Sequence, residues 1–175
     1  MKHLTTTSAL SALLLSPVAA QAGEKIGNTE LSANVGFVSE YSFRGITQTD
    51  EDPALQGGFD AEHDSGVYAG VWGSNVDFDD GDEAQLELDI YGGYQGAFDN
   101  FSYDVGVIYY AYPGADNALN YDFVEGAVSV GYDFDVFSAS TSVNYSPEYF
   151  GDSGDALYYA GNVDVPLPAN FNLTG

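Results

Sequence analysis

The side chains in this sequence that could carry out chemistry are almost all carboxylates. The chain of 175 residues has 27 Asp and Glu but only 3 Lys and Arg, 2 His and no Cys. Glu87 and Asp89, like Asp60 and Glu62, are two residues apart, which would put both carboxylates on one face of a strand. Paired carboxylates serve glycosidases. On a face that is acidic throughout, however, such pairs are expected without any catalytic role.

The other signals of an enzyme are weak or missing from the sequence. His63 falls on the apolar side of a predicted strand beside a short turn, where a surface histidine is expected rather than a general base or metal ligand. No glycine-rich phosphate loop follows a strand, and no G-x-S-x-G elbow occurs. We therefore predict that the protein is not an enzyme and has no catalytic residue, no cofactor and no specific metal site.

One acidic segment, "DFDDGDE" from Asp77 to Glu83, invites a calcium interpretation. It concentrates the oxygen ligands that hard cations prefer, but it lacks the ligand spacing and distal Glu of an EF-hand loop. A solvated external loop that attracts divalent cations only weakly is the simpler interpretation. An adaptation to salty surroundings would produce the same acidity, and the sequence does not separate the two.

The composition excludes several classes of partner. A formal charge of −24 excludes nucleic acid, because binding to phosphates requires Lys and Arg. Apolar residues make up 45% of the chain, too many for a disordered acidic tail. The chain is long enough for one domain with a core. The composition thus predicts one folded, acidic, aromatic-rich domain.

The N-terminus has the pattern of a secretory signal peptide. Lys2 and His3 precede the short apolar run Ala9 to Leu15, and "AQA" ends at Ala22. The apolar run is far shorter than the ~20 residues of a membrane-spanning helix. We predict that residues 1–22 are a signal peptide and that the exported domain spans residues 23–175.

From Leu31 onward the apolar residues recur at every second position, which is typical of β-strands with one apolar and one polar face. In the first strand, Tyr41 and Phe43 share the apolar side, while Glu40 and Arg44 lie opposite. The predicted strands are residues 31–44, 55–63, 67–75, 84–95, 101–112, 123–132, 137–145 and 156–167, and a ninth begins at Phe171.

The connections alternate strictly between long and short. Residues 45–53, 76–83, 113–120 and 146–155 are long and polar, whereas residues 64–66, 96–100, 133–135 and 168–170 are short. Outer-membrane barrels show this alternation of external loops and periplasmic turns, and their strands have ~9–11 residues. We therefore predict an all-β, antiparallel, up-and-down transmembrane β-barrel. A secreted soluble β-sandwich, with its apolar residues hidden between two sheets, is the weaker alternative.

The polar parity identifies residues expected to line the interior of such a barrel. They are Glu40, Arg44, Asp60, Glu62, Glu87, Asp89, Asp104, Glu125 and Asp164. This set would give a negative interior potential that attracts cations. Arg44 would pair with Glu40 or with carboxylates on neighbouring strands, either bracing the first strand or acting as a selectivity residue near the external mouth.

Three stretches, "SEYSFRGITQ", "ALQGGFD" and "YDVGVIYYAYPG", resemble sequences of the TorF-type porin family of exported bacterial proteins. The resemblance covers the whole predicted mature chain and implies an outer-membrane barrel with porin activity. Members of that family are typically longer and end on an aromatic strand, whereas this chain stops at "FNLTG". Because such barrels have an even strand number, we expect an incomplete C-terminus, or else eight strands that close alone around a narrow interior.

Together these features predict an outer-membrane porin for passive diffusion of small cationic or neutral solutes. The alternative is a non-conducting barrel whose acidic loops serve adhesion or interaction with divalent cations. The expected partners are outer-membrane lipid and small solutes or ions.

Overall fold

The structure is a computed structural model that describes residues 18–79, 81, 84–168 and 171–175, so most of the predicted signal peptide lies outside the described residues. Twelve strands account for most of the described chain. They are β1 Val18–Ile26, β2 Thr29–Val38, β3 Ser42–Phe43, β4 Ile46–Thr47, β5 Ala54–His63, β6 Val67–Asn75, β7 Leu86–Phe98, β8 Phe101–Ala111, β9 Phe123–Asp133, β10 Ser138–Ser146, β11 Ala156–Leu167 and β12 Phe171–Thr174.

Ten of the strands form one antiparallel sheet in which neighbours in sequence are neighbours in space. Its order is β1, β2 and then β5 through β12, while β3 and β4 form a separate two-stranded hairpin. Within the described ranges β1 and β12 remain the two edges, so the sheet is not closed. Two short 3-10 turns, Asn117–Leu119 and Phe150–Asp152, lie in the long connections, and no helix among the described residues is long and apolar enough to span a membrane.

The predicted strands from residue 55 onward agree closely with the structure. Strands β6 and β11 have the predicted bounds, and the others shift by at most three residues at either end. Long and short connections also alternate as predicted, and the turn between β1 and β2 adds one more short connection at the start. Period-two patterning was sufficient here because each of these strands has one predominantly apolar side.

The N-terminal region differs from the predicted strands in two ways. The first predicted strand, residues 31–44, ends at Val38, and the next residues turn back into the β3–β4 hairpin. A strand that the sequence did not predict, β1, precedes it, and its residues 18–22 belong to the predicted signal peptide. If the chain is cleaved after Ala22, the remaining residues 23–26 of β1 would still pair with residues 29–32 of β2.

The two faces of the sheet have an inverted pattern of burial. Side chains of the apolar parity are exposed; Phe59, for example, retains 68% of its accessible surface. The opposite parity, which we call the inner face, carries Glu87, Asp89 and Glu125, all buried. Tyr41 is an exception to the predicted parity, because it lies beyond the end of β2 and its side chain is buried against the inner face.

Tyrosines lie flat across glycines on the inner face. Tyr68, Gly93 and Gly106 are side by side on β6, β7 and β8, and the Tyr68 hydroxyl donates a 2.9 Å hydrogen bond to Asp104. Tyr91 on β7 crosses Gly70 on β6 in the same way and donates to Asp60 on β5. Each tyrosine therefore ties together three adjacent strands.

The buried apolar residues gather at the end of the sheet that carries the long connections. They are Val38, Tyr41, Ala54, Val76, Ala84, Ile108, Tyr110, Tyr112 and Phe123. Above them, Phe78, Tyr121 and Phe150 come from three different long connections and are in mutual ring contact, with centroids 4.2–5.6 Å apart. The Asp77 amide also donates to the Gln48 carbonyl over 2.8 Å, which adds the first long connection.

These contacts require the sheet to curl strongly. The Arg44 guanidinium, which lies between β2 and β5 in the chain, stands 4.2 Å from the ring centroid of Tyr158 on β11. Strands β5 and β11 are six positions apart in the sheet. In a flat sheet six spacings would amount to about 29 Å. The inner face is therefore concave at this end.

Gly93→Ala should destabilise the protein by about 1–3 kcal/mol through overpacking. A Cβ at position 93 would lie 2.5 Å from the Val105 carbonyl oxygen and 2.6 Å from the Tyr68 hydroxyl. Urea unfolding followed by circular dichroism measures the change. Gly126→Ala is the matched control, because nothing lies within 4 Å of its Cβ, and it should shift stability by less than about 1 kcal/mol. Equal effects of the two substitutions would contradict the role given to Gly93.

Candidate functional site on the inner face

The β3–β4 hairpin is a tight two-residue turn that carries Arg44 at its tip. Ser42 pairs with Thr47 and Phe43 with Ile46, which leaves Arg44 and Gly45 as the turn. Their φ angles are 51° and 84°, as a type I′ turn requires. A positive φ is natural for glycine but strained for arginine, so other contacts must hold Arg44 in place.

Arg44 forms a bidentate ion pair with Glu125 on β9. Its two terminal nitrogens each donate to a different carboxylate oxygen of Glu125, both over 2.7 Å. Glu125 is 1% exposed and the Arg44 side chain 15%. Burial lowers the pKa of Arg44, but the hydrogen bonds and charge of Glu125 outweigh burial and raise it overall. The guanidinium therefore stays charged.

Aromatic rings flank the same guanidinium. Its central carbon lies 4.5 Å from the ring centroid of Phe43 and 4.2 Å from that of Tyr158. Cation–π attraction is strengthened where water is excluded. Glu125 also accepts a 3.3 Å hydrogen bond from the Asn144 amide and a long contact of 3.5 Å from the Tyr110 hydroxyl.

Glu87 is the centre of a second buried network. Its two carboxylate oxygens accept hydrogen bonds from the hydroxyls of Tyr41, at 2.7 Å, and Tyr112, at 3.0 Å. Burial and the charge of Glu87 raise the pKa of Tyr41 above its ordinary value, so that hydroxyl remains a proton donor. Tyr41 also packs edge-on against Trp72, with centroids 5.5 Å apart.

Asp89 is the least satisfied carboxylate of the group. It is 5% exposed, lies beside Trp72 and Tyr110 in the strand register, and has an Oδ1 atom with no hydrogen-bond partner. Buried polar atoms normally have a partner. Of the three carboxylates buried at this end of the inner face, Glu87, Asp89 and Glu125, only Glu125 has a guanidinium partner among the described residues.

The other predicted pore-lining residues are spread along the sheet. Asp60 and Asp104 are half-buried and bound to tyrosines, as described above. Glu62 and Asp164 are exposed towards the short-turn end, where Asp164 accepts from Thr174. Glu40 is exposed in the segment after β2 and is outside the cluster.

The structure corrects the predicted partner of Arg44. The sequence placed Arg44 on the first strand, beside Glu40 or carboxylates on neighbouring strands, whereas the hairpin carries it across the inner face to Glu125 on β9. The tyrosine partners of the carboxylates were not predicted from the sequence. Tyr110 and Tyr112 continue the parity of Asp104, and Tyr91 that of Asp89, so extending the inner parity past the charged residues would have found them.

No arrangement able to hold a metal is found among the described residues. Asp80, Asp82 and Glu83 of the acidic "DFDDGDE" segment lie outside those residues. A cavity of about 440 Å³ lies between two long connections and is lined in part by Asp122 and Asp152. Asp122 accepts from the Tyr112 amide and the Tyr109 hydroxyl, and Asp152 from the Asn120 side chain, so both carboxylates serve local structure.

Residues 22–174 match a family described as "Bacterial protein of unknown function (Gcw_chp)". The chain belongs to this family. The Gcw_chp match includes the hairpin, the Arg44–Glu125 pair and the strands that carry Glu87 and Asp89. Searches of curated proteins and of solved structures find no match. The Gcw_chp description assigns no activity, so the function must be argued from the site.

Arg44→Ala should lower the free energy of unfolding by about 3 kcal/mol, because it leaves the Glu125 carboxylate buried without its counter-charge. The chain offers a matched control in Lys25→Ala. The Lys25–Asp64 pair is only 2.5 Å long, but both side chains are about half exposed, at 53% and 51%. Its loss should leave the free energy of unfolding nearly unchanged, because solvent screens an exposed pair. Urea unfolding compares the variants, and an Arg44→Ala protein as stable as Lys25→Ala would contradict the structural role of the ion pair.

Proposed function

We propose that the protein is an outer-membrane β-barrel that acts as a porin of the TorF type, for small solutes that are cationic or neutral. Residues 1–22 would direct its export. The observation that carries the proposal is the inverted burial: apolar side chains lie on the exposed face and carboxylates on the buried one.

The outer face suits lipid better than water. Soluble monomers rarely expose large continuous apolar patches, because transfer of apolar surface from water is favourable. Here nearly every long strand exposes Val, Leu, Ile, Phe or Tyr at alternate positions. A soluble sandwich would bury this face and expose the carboxylates, which is the opposite arrangement.

The connectivity supports the same proposal. Strands β5 to β11 have 9–13 residues, are joined in sequence order and alternate between long and short connections, as transmembrane barrels do. Backbone groups at a sheet edge cannot face hydrocarbon unpaired, so the proposal includes pairing of the edges β1 and β12 in the membrane.

The carboxylates of the inner face support a preference for cations. The hairpin at the long-connection end favours restricted passage of solutes. Excess carboxylates give a negative potential that concentrates cations and repels anions. The hairpin and its buried cluster narrow the interior at the long-connection end. That closure is the specific observation in favour of the second candidate, a non-conducting barrel with acidic surface loops.

Moving the one tryptophan by a single residue should reverse its exposure to lipid. Trp72 is the only tryptophan and lies on the inner face, whereas Val71 lies on the outer face. In brominated-lipid vesicles, the double variant Val71→Trp/Trp72→Phe should lose most of its fluorescence, and the native protein much less. The two positions share one depth, so equal quenching would contradict the proposed orientation.

Planar-bilayer recordings test the porin itself. Full-length protein, shown to be folded by heat-shifted gel mobility, should give channel steps whose reversal potential in a salt gradient indicates cation preference. Asp60→Asn with Asp104→Asn should lower the cation-to-anion permeability ratio by about twofold or more, because two inner charges are removed. Asp99→Asn, in an exposed turn, is the control. Folded protein without channel steps would refute the porin and leave the non-conducting barrel.

A further inference from the structure

We propose that the wall around Glu125 is a binding subsite for the guanidinium groups of cationic solutes, and that Arg44 is its tethered occupant. The inference deepens the proposed function, since it rests on solutes reaching the inner face. It concerns the chemistry of one position on that face and can be tested without any measurement of conductance.

The residues of the subsite belong to the sheet and not to the hairpin. Glu125 is on β9, Asn144 on β10 and Tyr158 on β11, while Tyr110 approaches Glu125 from β8. Only the occupant, Arg44, comes from the β3–β4 hairpin, together with one flanking ring, that of Phe43. If the hairpin moves away, the wall keeps its shape and a buried carboxylate is left without a counter-charge.

The wall has the features that recognise a planar, delocalised cation. Glu125 receives two parallel hydrogen bonds, one on each carboxylate oxygen, and the Tyr158 ring covers a face of the guanidinium. A bidentate carboxylate and a stacked ring select guanidinium over a compact ammonium or a metal ion. Among the residues that the structure describes, no metal-binding cluster competes with this interpretation.

Asp89 provides an independent indication, a buried hydrogen-bond acceptor that nothing in the wall satisfies. Its Oδ1 is buried without a hydrogen-bond partner even while Arg44 is in place. Tyr110 is the neighbour of Asp89 in the strand register, and its hydroxyl lies 3.5 Å from Glu125, so the two carboxylates flank the same tyrosine. An acceptor oxygen that Arg44 does not satisfy therefore remains beside the subsite, where an N–H donor of a solute cation could reach it.

The hairpin is attached in a way that permits exchange. In the described residues β3 and β4 pair only with each other and not with the ten-stranded sheet. The turn has positive φ at Arg44 and Gly45, and Ile46 is exposed. Its tip is therefore held by side-chain contacts, chiefly the ion pair and the rings. A solute guanidinium that took the place of Arg44 would preserve the charge balance of the wall while releasing the hairpin.

Chemical rescue of Arg44→Ala with methylguanidinium tests the subsite in detergent-folded, full-length protein. Trp72 reports on the hairpin, because its ring packs against Tyr41, which directly precedes β3. Added methylguanidinium should shift the Trp72 emission and the thermal midpoint back towards wild-type values. Half of the maximal shift is expected at millimolar methylguanidinium, because a small ligand that is not tethered to the protein binds weakly. Lys25→Ala should show no such response.

Specificity controls decide the outcome. The double variant Arg44→Ala/Glu125→Gln should not respond, and sodium or tetramethylammonium at equal ionic strength should have at most a tenth of the effect. Equal rescue by either salt, or a response that survives Glu125→Gln, overturns the subsite. If Arg44→Ala refolds poorly, folded yield against methylguanidinium concentration becomes the readout, with the same two controls. Rescue in a protein that shows no channel steps would uphold the subsite and refute the porin. Channel steps without rescue would uphold the porin and refute the subsite.

Discussion

A carboxylate buried without a counter-charge costs several kcal/mol. The inner face of this sheet buries three carboxylates at one end, Glu87, Asp89 and Glu125. Among the described residues, the bidentate pair of Arg44 with Glu125 is the one ion pair at this end. It holds the positive φ at Arg44 and fixes the β3–β4 hairpin in place. It thereby joins β9 to the segment between β2 and β5. The position of the hairpin across the concave inner face depends on it.

Tyrosine is the second requirement of this arrangement. Glu87, Asp60 and Asp104 receive their hydrogen bonds from tyrosine hydroxyls rather than from basic residues. A phenol can lie flat on a glycine, bridge three strands and still donate to a carboxylate at its far end. A chain with so few Lys and Arg can therefore keep an acidic interior and remain packed, and its many inner-face glycines provide the room.

The sequence was informative wherever a strand has one predominantly apolar side. Strands β5 to β11, the alternation of connections and the parity of the carboxylates were all predictable from period two. The first strand was predicted too long because Tyr41 and Phe43 continue the alternation past Val38, although the chain has already left the sheet. Glu125 could not be assigned to Arg44, because the pairing depends on how far the sheet curls and no local pattern encodes that curvature.

The long connections of this protein are not independent of one another. Loops usually vary more freely than the strands that they join. Here Phe78, Tyr121 and Phe150 interlock three connections, and the Asp77–Gln48 backbone bond adds the fourth. An insertion in one connection would disturb the packing of the other three. Sequence change at this end of the molecule should therefore be concerted across the four connections, while the short turns at the opposite end remain free to diverge separately.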